Sequence, residues 1–304
     1  MKILVTGGAG FIGGCLAKSL KDKGHTVILC DLPGKFSDAE KSDYQCVECD
    51  ITEKKQVFEL PLVDAVYHLA AQSGTALALD NLNKDLNRNA LGTLNVCQYV
   101  MNNDIKLFCF TSSMSVYGNV EKASEVSPTE PSSPYGISKL CAENYVNYVK
   151  RKSPTTKICI FRIFNCYGPG QDTKNLTQGL ASIFLQQLKK SDRVEVTGSL
   201  NRQRDLIYID DVVSALQLLI ENNSIDGTFN LCSNKAISVS ELIDMAYETS
   251  GLNYESVVKL DVGGNIEDPF IATGNNERLV SLGWKPKTSL REGLLKCWET
   301  IRSK

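Results

Sequence analysis

The stretch Lys2-Ile3-Leu4-Val5-Thr6-Gly7-Gly8-Ala9-Gly10-Phe11-Ile12-Gly13 decides the fold. Lys2–Thr6 is short, apolar and β-prone, which predicts a strand. Phe11–Lys23 follows with apolar positions every three or four residues, which predicts a helix. Between them the glycines satisfy both a G-x-G-x-x-G spacing (Gly8, Gly10, Gly13) and a G-x-x-G-x-x-G spacing (Gly7, Gly10, Gly13). Glycine at such positions permits a tight turn, lets backbone N–H groups approach an anion, and allows the helix to lie close on the sheet. The anion then sits at the positive end of the helix dipole.

Asp31 answers this turn. It closes the second predicted strand, Thr26–Cys30, about 20 residues downstream, as a dinucleotide-binding fingerprint requires. A carboxylate there can accept hydrogen bonds from both ribose hydroxyls of NAD, whereas it repels the 2′-phosphate of NADP. No arginine stands beside it, and the expected cofactor is therefore NAD. The plainer alternative is a solvated turn residue. Asp50, after the third predicted strand Tyr44–Glu48, is placed to meet the adenine or to serve only its own turn.

Working outward, further strands are predicted at Ala65–Leu69, Lys106–Thr111 and Lys157–Phe161, with a helix at Leu91–Asn102. This alternation predicts an α/β fold of the Rossmann type, a doubly wound parallel sheet with helices on both faces. From about residue 170 the pattern loosens into helical stretches (Thr177–Lys190, Asp211–Glu221, Val239–Ser250) among a few strands and many turns. A smaller α/β domain that binds substrate is expected there. With 304 residues the chain is long enough for one large domain or two coupled ones. Its net charge of −2 offers no footprint for nucleic acid or an anionic membrane. No apolar run approaches the ~20 residues needed to span a bilayer. The N-terminus enters glycine-rich sequence too early for a signal peptide, so a cytoplasmic protein is expected. Eleven cysteines are scattered along the chain, and only Cys46 and Cys49 form a C-x-x-C pair. No second pair or nearby histidine completes a zinc site, so no metal is expected and the thiols read as reduced core residues.

The catalytic candidates come in order. The fifth strand runs into Thr111-Ser112-Ser113-Met114-Ser115, and after a proline-punctuated loop Pro134-Tyr135-Gly136-Ile137-Ser138-Lys139 opens a helix. Tyr135 and Lys139 lie one helical turn apart on the same side. A tyrosine acting as a base must lose its proton far below its ordinary pKa of about 10. The Lys139 ammonium and a positive nicotinamide ring are expected to favour the phenolate. Lys139 can also hold the nicotinamide ribose, and Ser113 can hydrogen-bond the substrate oxygen that becomes a carbonyl. Standing alone, a tyrosine and lysine at this spacing are a common accident of an exposed helix.

With the fingerprint and the serine-rich strand end, these segments resemble the extended short-chain dehydrogenase/reductases. Within them the chain is similar to the NAD-dependent epimerase/dehydratase family, typified by UDP-galactose 4-epimerase. Further matching segments are His68-Leu69-Ala70-Ala71, Asn89-Ala90-Leu91-Gly92-Thr93, Arg162–Gly170, Arg204–Asp211 and Leu282–Pro286. The resemblance implies an NAD-binding Rossmann domain over 1–168, with segments near 204–232 returning to it, and a mainly nucleotide-sugar-binding region over 169–304. It implies that Gly7, Gly10, Phe11, Ile12, Gly13, Asp31, Asp50, Ile51, Leu69, Ala70, Ala71, Asn89, Tyr135, Lys139 and Phe164 line the NAD site. Ser113, Asn165, Asn175, Leu176 and Arg204 would meet a nucleotide sugar. Arg204 suits a phosphate because its guanidinium is charged and forked; its alternative is an ion pair with Asp205. A homodimer is also implied.

Dehydratases of this family carry an Asp-Glu pair just after the residue matching Ser113, where this chain has Met114-Ser115. The expectation is therefore 4-epimerisation of a UDP-hexose or UDP-N-acetylhexosamine through a transient 4-keto sugar. A ketoreductase, decarboxylase or dehydratase of the same family is the alternative, and a non-catalytic NAD-sensing scaffold is an alternative of another class. One departure stands out. The family places an arginine on the diphosphate in a stretch that here reads Gly263-Gly264-Asn265-Ile266-Glu267-Asp268-Pro269; either Arg202 replaces it or the nucleotide is held differently. Ile271 or Ala272 falls where some members have a bulky tyrosine, which would leave room for an N-acetyl group.

Overall fold

The computed structural model describes residues 1–171, 179–222, 224–263 and 269–303. Its strands are β1 (Lys2–Thr6), β2 (Thr26–Asp31), β3 (Gln45–Glu48), β4 (Ala65–His68), β5 (Leu107–Ser113), β6 (Val120–Ala123) and β7 (Lys157–Ile163). They continue as β8 (Asn165–Tyr167), β9 (Arg193–Val196), β10 (Gln203–Tyr208), β11 (Gly227–Leu231), β12 (Ala236–Ser238), β13 (Val258–Asp261) and β14 (Ile271–Gly274).

Seven strands form one sheet in the order β11-β7-β5-β4-β1-β2-β3, and every pairing in it is parallel. A parallel sheet must be covered on both faces, which is why its strands are near-continuous apolar runs. Alternate side chains sort accordingly. Ile3, Val5, Val27, Leu29, Tyr67 and Phe161 join one core, while Leu4, Ile28, Val66, Phe108, Phe110 and Ile160 join the other. The helices Phe11–Asp22 and Ile209–Glu221 pack together over the first face, and Gly92–Asn102 packs with Pro134–Lys152 over the second. The strand order reverses between β1 and β4, and the crevice outside the carboxyl ends of strands at such a point is where ligands bind in open α/β sheets.

After β5 the chain alternates between the main sheet, to which β7 and β11 return, and smaller ones. β6 joins β14, β10 and β12 in a second sheet, with β8 also paired to β10. β9 and β13 form a separate parallel pair. Strands β8 and β12 are only three residues long, too short for any alternation to announce them. The predicted helix Thr177–Lys190 is seen from Leu180 to Lys190, its first residues lying outside the described part. The helix predicted from Leu91 begins at Gly92, after a turn of π-helix over Asn87–Leu91. None of the eleven cysteines is bonded to another, and seven of them are buried. Among the described residues no helix is long and apolar enough to cross a membrane.

Candidate active site

A cleft of about 1140 Å³ runs along the carboxyl edge of the seven-stranded sheet and out between it and the second sheet. At one end lies the glycine turn. Gly7 adopts φ +71°, and a Cβ there would stand 2.7 Å from the Ala70 nitrogen. A Cβ on Gly13 would meet the Gly7 carbonyl oxygen at 2.1 Å, so the helix can sit this close only without one. The Phe11–Asp22 helix has neither a side-chain cap nor an acidic residue in its first turn. Its amino end therefore keeps its backbone donors for an anion in the cleft.

Asp31 lies at the tip of β2, its carboxylate fixed by the backbone N–H of Ala9 (3.0 Å) and of Leu32 (2.8 Å). Lys35 and Asp50 line the same end of the cleft. One Asp50 oxygen accepts from both the N–H (2.9 Å) and the hydroxyl (2.8 Å) of Thr52, so the residue does serve its turn while facing the cleft. Ile51, Leu69, Ala70, Ala71 and Phe164 complete these walls.

Asn89 does not line the cleft, contrary to expectation. It is fully buried, and its amide accepts from the Gln72 N–H (2.8 Å) and donates toward the Gln72 carbonyl (3.0 Å), Asp85 Oδ1 (2.9 Å) and Ser138 Oγ (3.0 Å). Both amide hydrogens are taken up by these three acceptors, and the side chain is sealed from the cleft. It braces the wall from behind.

His68 belongs to the same support. Its ring is wholly buried between the hydroxyls of Thr6 (2.7 Å to Nδ1) and Thr93 (3.0 Å to Nε2) and stacks on Phe110. The Thr93 proton goes to the Asn89 carbonyl at 2.6 Å, so Thr93 accepts from Nε2–H and Nδ1 accepts from Thr6. Burial and the nearby Lys139 pull this histidine down to about 3, so it stays neutral.

The catalytic candidates meet at the middle of the cleft. Ser133 caps the Pro134–Lys152 helix by accepting from the Gly136 N–H, and Pro134 occupies the first helical position. Gly136 lets that helix lie against the turn after β5, since a Cβ would be 2.4 Å from the Ser115 carbonyl oxygen. Tyr135 is thereby set beside Ser113, whose hydroxyl accepts from the Ser115 N–H at 3.1 Å. Lys139 Nζ donates to the Thr111 carbonyl at 2.6 Å and lies 4.3 Å from the centre of the Phe110 ring.

The electrostatics differ from the expectation. Burial raises Tyr135 to about 12; the Ser113 hydroxyl offsets part of this, and the charge of Asp85 adds to it. Burial also draws Lys139 down to about 7 against the pull of Glu143 and Asp85. Lys139 is not among the groups that lower Tyr135, so the expected phenolate-favouring effect of this lysine is not seen.

On the far side, Asn165 donates to the Asp205 carbonyl at 2.8 Å and faces the cleft. Arg202 and Arg204 both line it, Arg202 just ahead of β10 and Arg204 the second residue of that strand. Arg204 also donates to the Gln203 carbonyl at 2.8 Å, and Arg202 Nε to the Ser199 carbonyl at 3.1 Å. Asp205 does not face outward to pair with Arg204; it is fully buried and accepts from the N–H and hydroxyl of Ser233, both at 2.7 Å. Ile271 and Ala272 belong to β14 and are not among the residues lining the main cleft, so their size does not set its room. Asn175 and Leu176 lie outside the described residues. No three metal-binding side chains come together among the described residues.

The profile of the NAD dependent epimerase/dehydratase family matches residues 3–232. The chain belongs to this family. A Methanocaldococcus jannaschii protein provisionally named UDP-glucose 4-epimerase is 33% identical over 96% of this chain and 95% of its own. The structure of Thermotoga maritima UDP-glucose 4-epimerase with UDP-glucose superposes with a TM-score of 0.90, at 30% identity, over 100% of this chain and 99% of that one. That of the Thermus thermophilus UDP-glucose 4-epimerase with NAD does so with 0.89, at 26% identity, over 99% of each. Enzymes named as dehydratases and as a reductase are also similar to it. The cofactor is NAD, and the cradle that a Cβ would fill at Gly7 and Gly13, with Asp31 at the tip of β2, fits it.

Proposed function

We propose that this enzyme is an NAD-dependent nucleotide-sugar 4-epimerase acting on a UDP-hexose or UDP-N-acetylhexosamine. The observation that carries the reading is the make-up of the cleft wall around Tyr135. Ser113, Met114, Ser115, Ser133 and Asn165 line it with Lys139, and among the described residues the carboxylates lining the cleft, Asp31, Asp50 and Glu195, belong to β2, the turn after β3, and β9. Elimination of water would need a further acid and base at the sugar. Epimerisation at C4 needs one group that takes and returns the O4 proton. Tyr135 is that group, Ser113 donates a hydrogen bond to the oxygen as it becomes a carbonyl, and Lys139 orients the nicotinamide ribose. NAD, when bound, supplies a reversible acceptor for the hydrogen at C4. Arg202 and Arg204 face the diphosphate together, and Arg202 takes the place of the arginine that the family carries further along the chain.

Incubation with a panel of UDP-sugars and catalytic NAD, with products resolved by NMR, tests this. The C4 epimer should appear while the reduced-nicotinamide absorbance stays flat. Stoichiometric consumption of NADH without an epimer would overturn the reading in favour of a reductase.

A further inference from the structure

Asp85 is a buried carboxylate, 1% exposed, on the short helix Leu82–Leu86, whose other residues are all exposed. That helix packs against Pro134–Lys152, which carries Tyr135 and Lys139. Asp85 Oδ1 accepts from Asn89 Nδ2 at 2.9 Å, and the same nitrogen lies 3.0 Å from Ser138 Oγ. Ser138 in turn donates to the Tyr135 carbonyl at 3.0 Å and directly precedes Lys139. Burial raises the Asp85 carboxyl above its ordinary value, and the Ser138 hydroxyl and the charge of Lys139 offset part of this.

Few charged groups face this corner. On the Pro134–Lys152 helix they are Lys139 and Glu143, and Glu143 is held in a two-point pair by Arg162 at 2.9 and 2.7 Å. On β4 there is the neutral His68. Arg88, on the π-helical turn, lines the cleft, while Asp80 and Lys84 are exposed. Asp85 is thus the carboxylate here whose charge no arginine matches among the described residues, and its helix packs against the one that carries Lys139.

We propose that Asp85 is a positioning residue for the reaction at Tyr135: its link through Asn89 and Ser138 fixes the helical turn that carries Tyr135 and Lys139, and its buried negative charge acts on both groups. The proposal rests on the reading of Tyr135 as the base. Its sign is definite. The charge of Asp85 raises Lys139 against burial and raises Tyr135 along with burial. A neutral residue at 85 therefore makes both groups more acidic, and both limbs of the rate profile move to lower pH.

The test compares wild type, Asp85→Asn and Asp85→Glu, each first shown to be folded by its melting curve. Asparagine keeps the acceptor for Asn89 and removes the charge; glutamate keeps the charge. The pH profile of kcat for Asp85→Asn should lie about one unit lower, by the size of shift a nearby charge produces, and Asp85→Glu should stay close to wild type. Where Asp85→Asn does not fold, Asp85→Ser provides the neutral side chain. In parallel, carbon-13 NMR of labelled lysine in the NAD-free protein, assigned by loss of the resonance in Lys139→Arg, reads Lys139 without any substrate. It should titrate at about 7 in wild type and lower in the neutral variant. A lowered rate with an unmoved profile and an unmoved Lys139 titration would overturn the proposal, leaving Asp85 a purely structural residue. A wild type inactive on every nucleotide sugar, with Lys139 still responding to Asp85→Asn, would count against the proposed reaction and support the electrostatic role.

Discussion

Replacing Gly136 by alanine tests whether the rate depends on how closely the catalytic helix sits on the turn after β5. The added Cβ would be 2.4 Å from the Ser115 carbonyl oxygen and 2.8 Å from Pro131 Cβ, where ordinary contact begins at 3.4 Å. The backbone oxygen cannot swing aside as a side chain would, so helix and turn must part by about 1 Å. Ser115 is tied to Ser113 by the 3.1 Å bond to its hydroxyl, and Tyr135 is the neighbour of Gly136. The parting therefore opens the gap between Tyr135 and Ser113. A displacement of this size costs about 100-fold in rate. The strain itself should take about 1–3 kcal/mol from stability, a fall of a few degrees in Tm. The glycine turn and Asp31 lie at the other end of the cleft, so the Kd for NAD should change little. Steady-state kcat, a calorimetric Kd for NAD and a melting curve on the same preparation separate these effects. Wild-type kcat with a lowered Tm would refute the reasoning, and a loss of NAD affinity equal to the loss of rate would move the effect to the cofactor site.

Asp31→Asn should weaken NAD about tenfold or more, as expected for losing charge-assisted hydrogen bonds worth about 1.5–3 kcal/mol, while weakening NADP less; equal affinity of the wild type for both would contradict the role given to Asp31. Tyr135→Phe should lower kcat at least about 100-fold with Tm and NAD binding near wild type, and an unchanged kcat would remove Tyr135 as the base. Burial raises Asp205 from its ordinary 3.8 to about 6, so its ionisation works against the fold. The folded protein binds this proton more tightly than the unfolded chain, and the stability it confers is complete below pH 3.8 and lost as the pH rises through 6. Asp205→Asn should therefore gain up to about 3 kcal/mol over wild type at neutral pH and little near pH 4; denaturant melts showing the same difference at both values would refute this.

The half of the molecule that holds the cofactor was legible because its physics is local. A buried parallel strand must be apolar throughout, and the predicted runs ending at Thr6, Cys30 and Glu48 coincide with β1, β2 and β3 to within a residue or so. The same holds for the Gly7–Gly13 turn, whose glycines are dictated by contacts within the turn and with the neighbouring Leu69–Ala70. The second sheet was not legible, because β8, β12 and β14 are three or four residues long and find their partners far along the chain. Tyr135 and Lys139 could be found by spacing, but their protonation could not: it depends on burial, on the Ser113 hydroxyl and on the charges of Glu143 and Asp85, and no spacing rule joins Asp85 to them. Leu82-Asn83-Lys84-Asp85-Leu86 looks like a solvated helix, and its one buried residue is charged. The only local hint is that Asp85 precedes Asn89 by one helical turn.

The fate of the hydrogen at C4 tests the central claim most directly. A UDP-sugar carrying deuterium at C4 is incubated with the enzyme and NAD in ordinary water, and the unlabelled sugar is incubated in deuterium oxide. Tyr135 exchanges only the O4 proton with solvent, so the account predicts that the C4 epimer retains its deuterium in the first experiment and gains none at carbon in the second. Deuterium washed out of C4, or solvent deuterium incorporated at C3, C4 or C5, would mean that a carbon–hydrogen bond is broken by a protein base, and the account would be wrong.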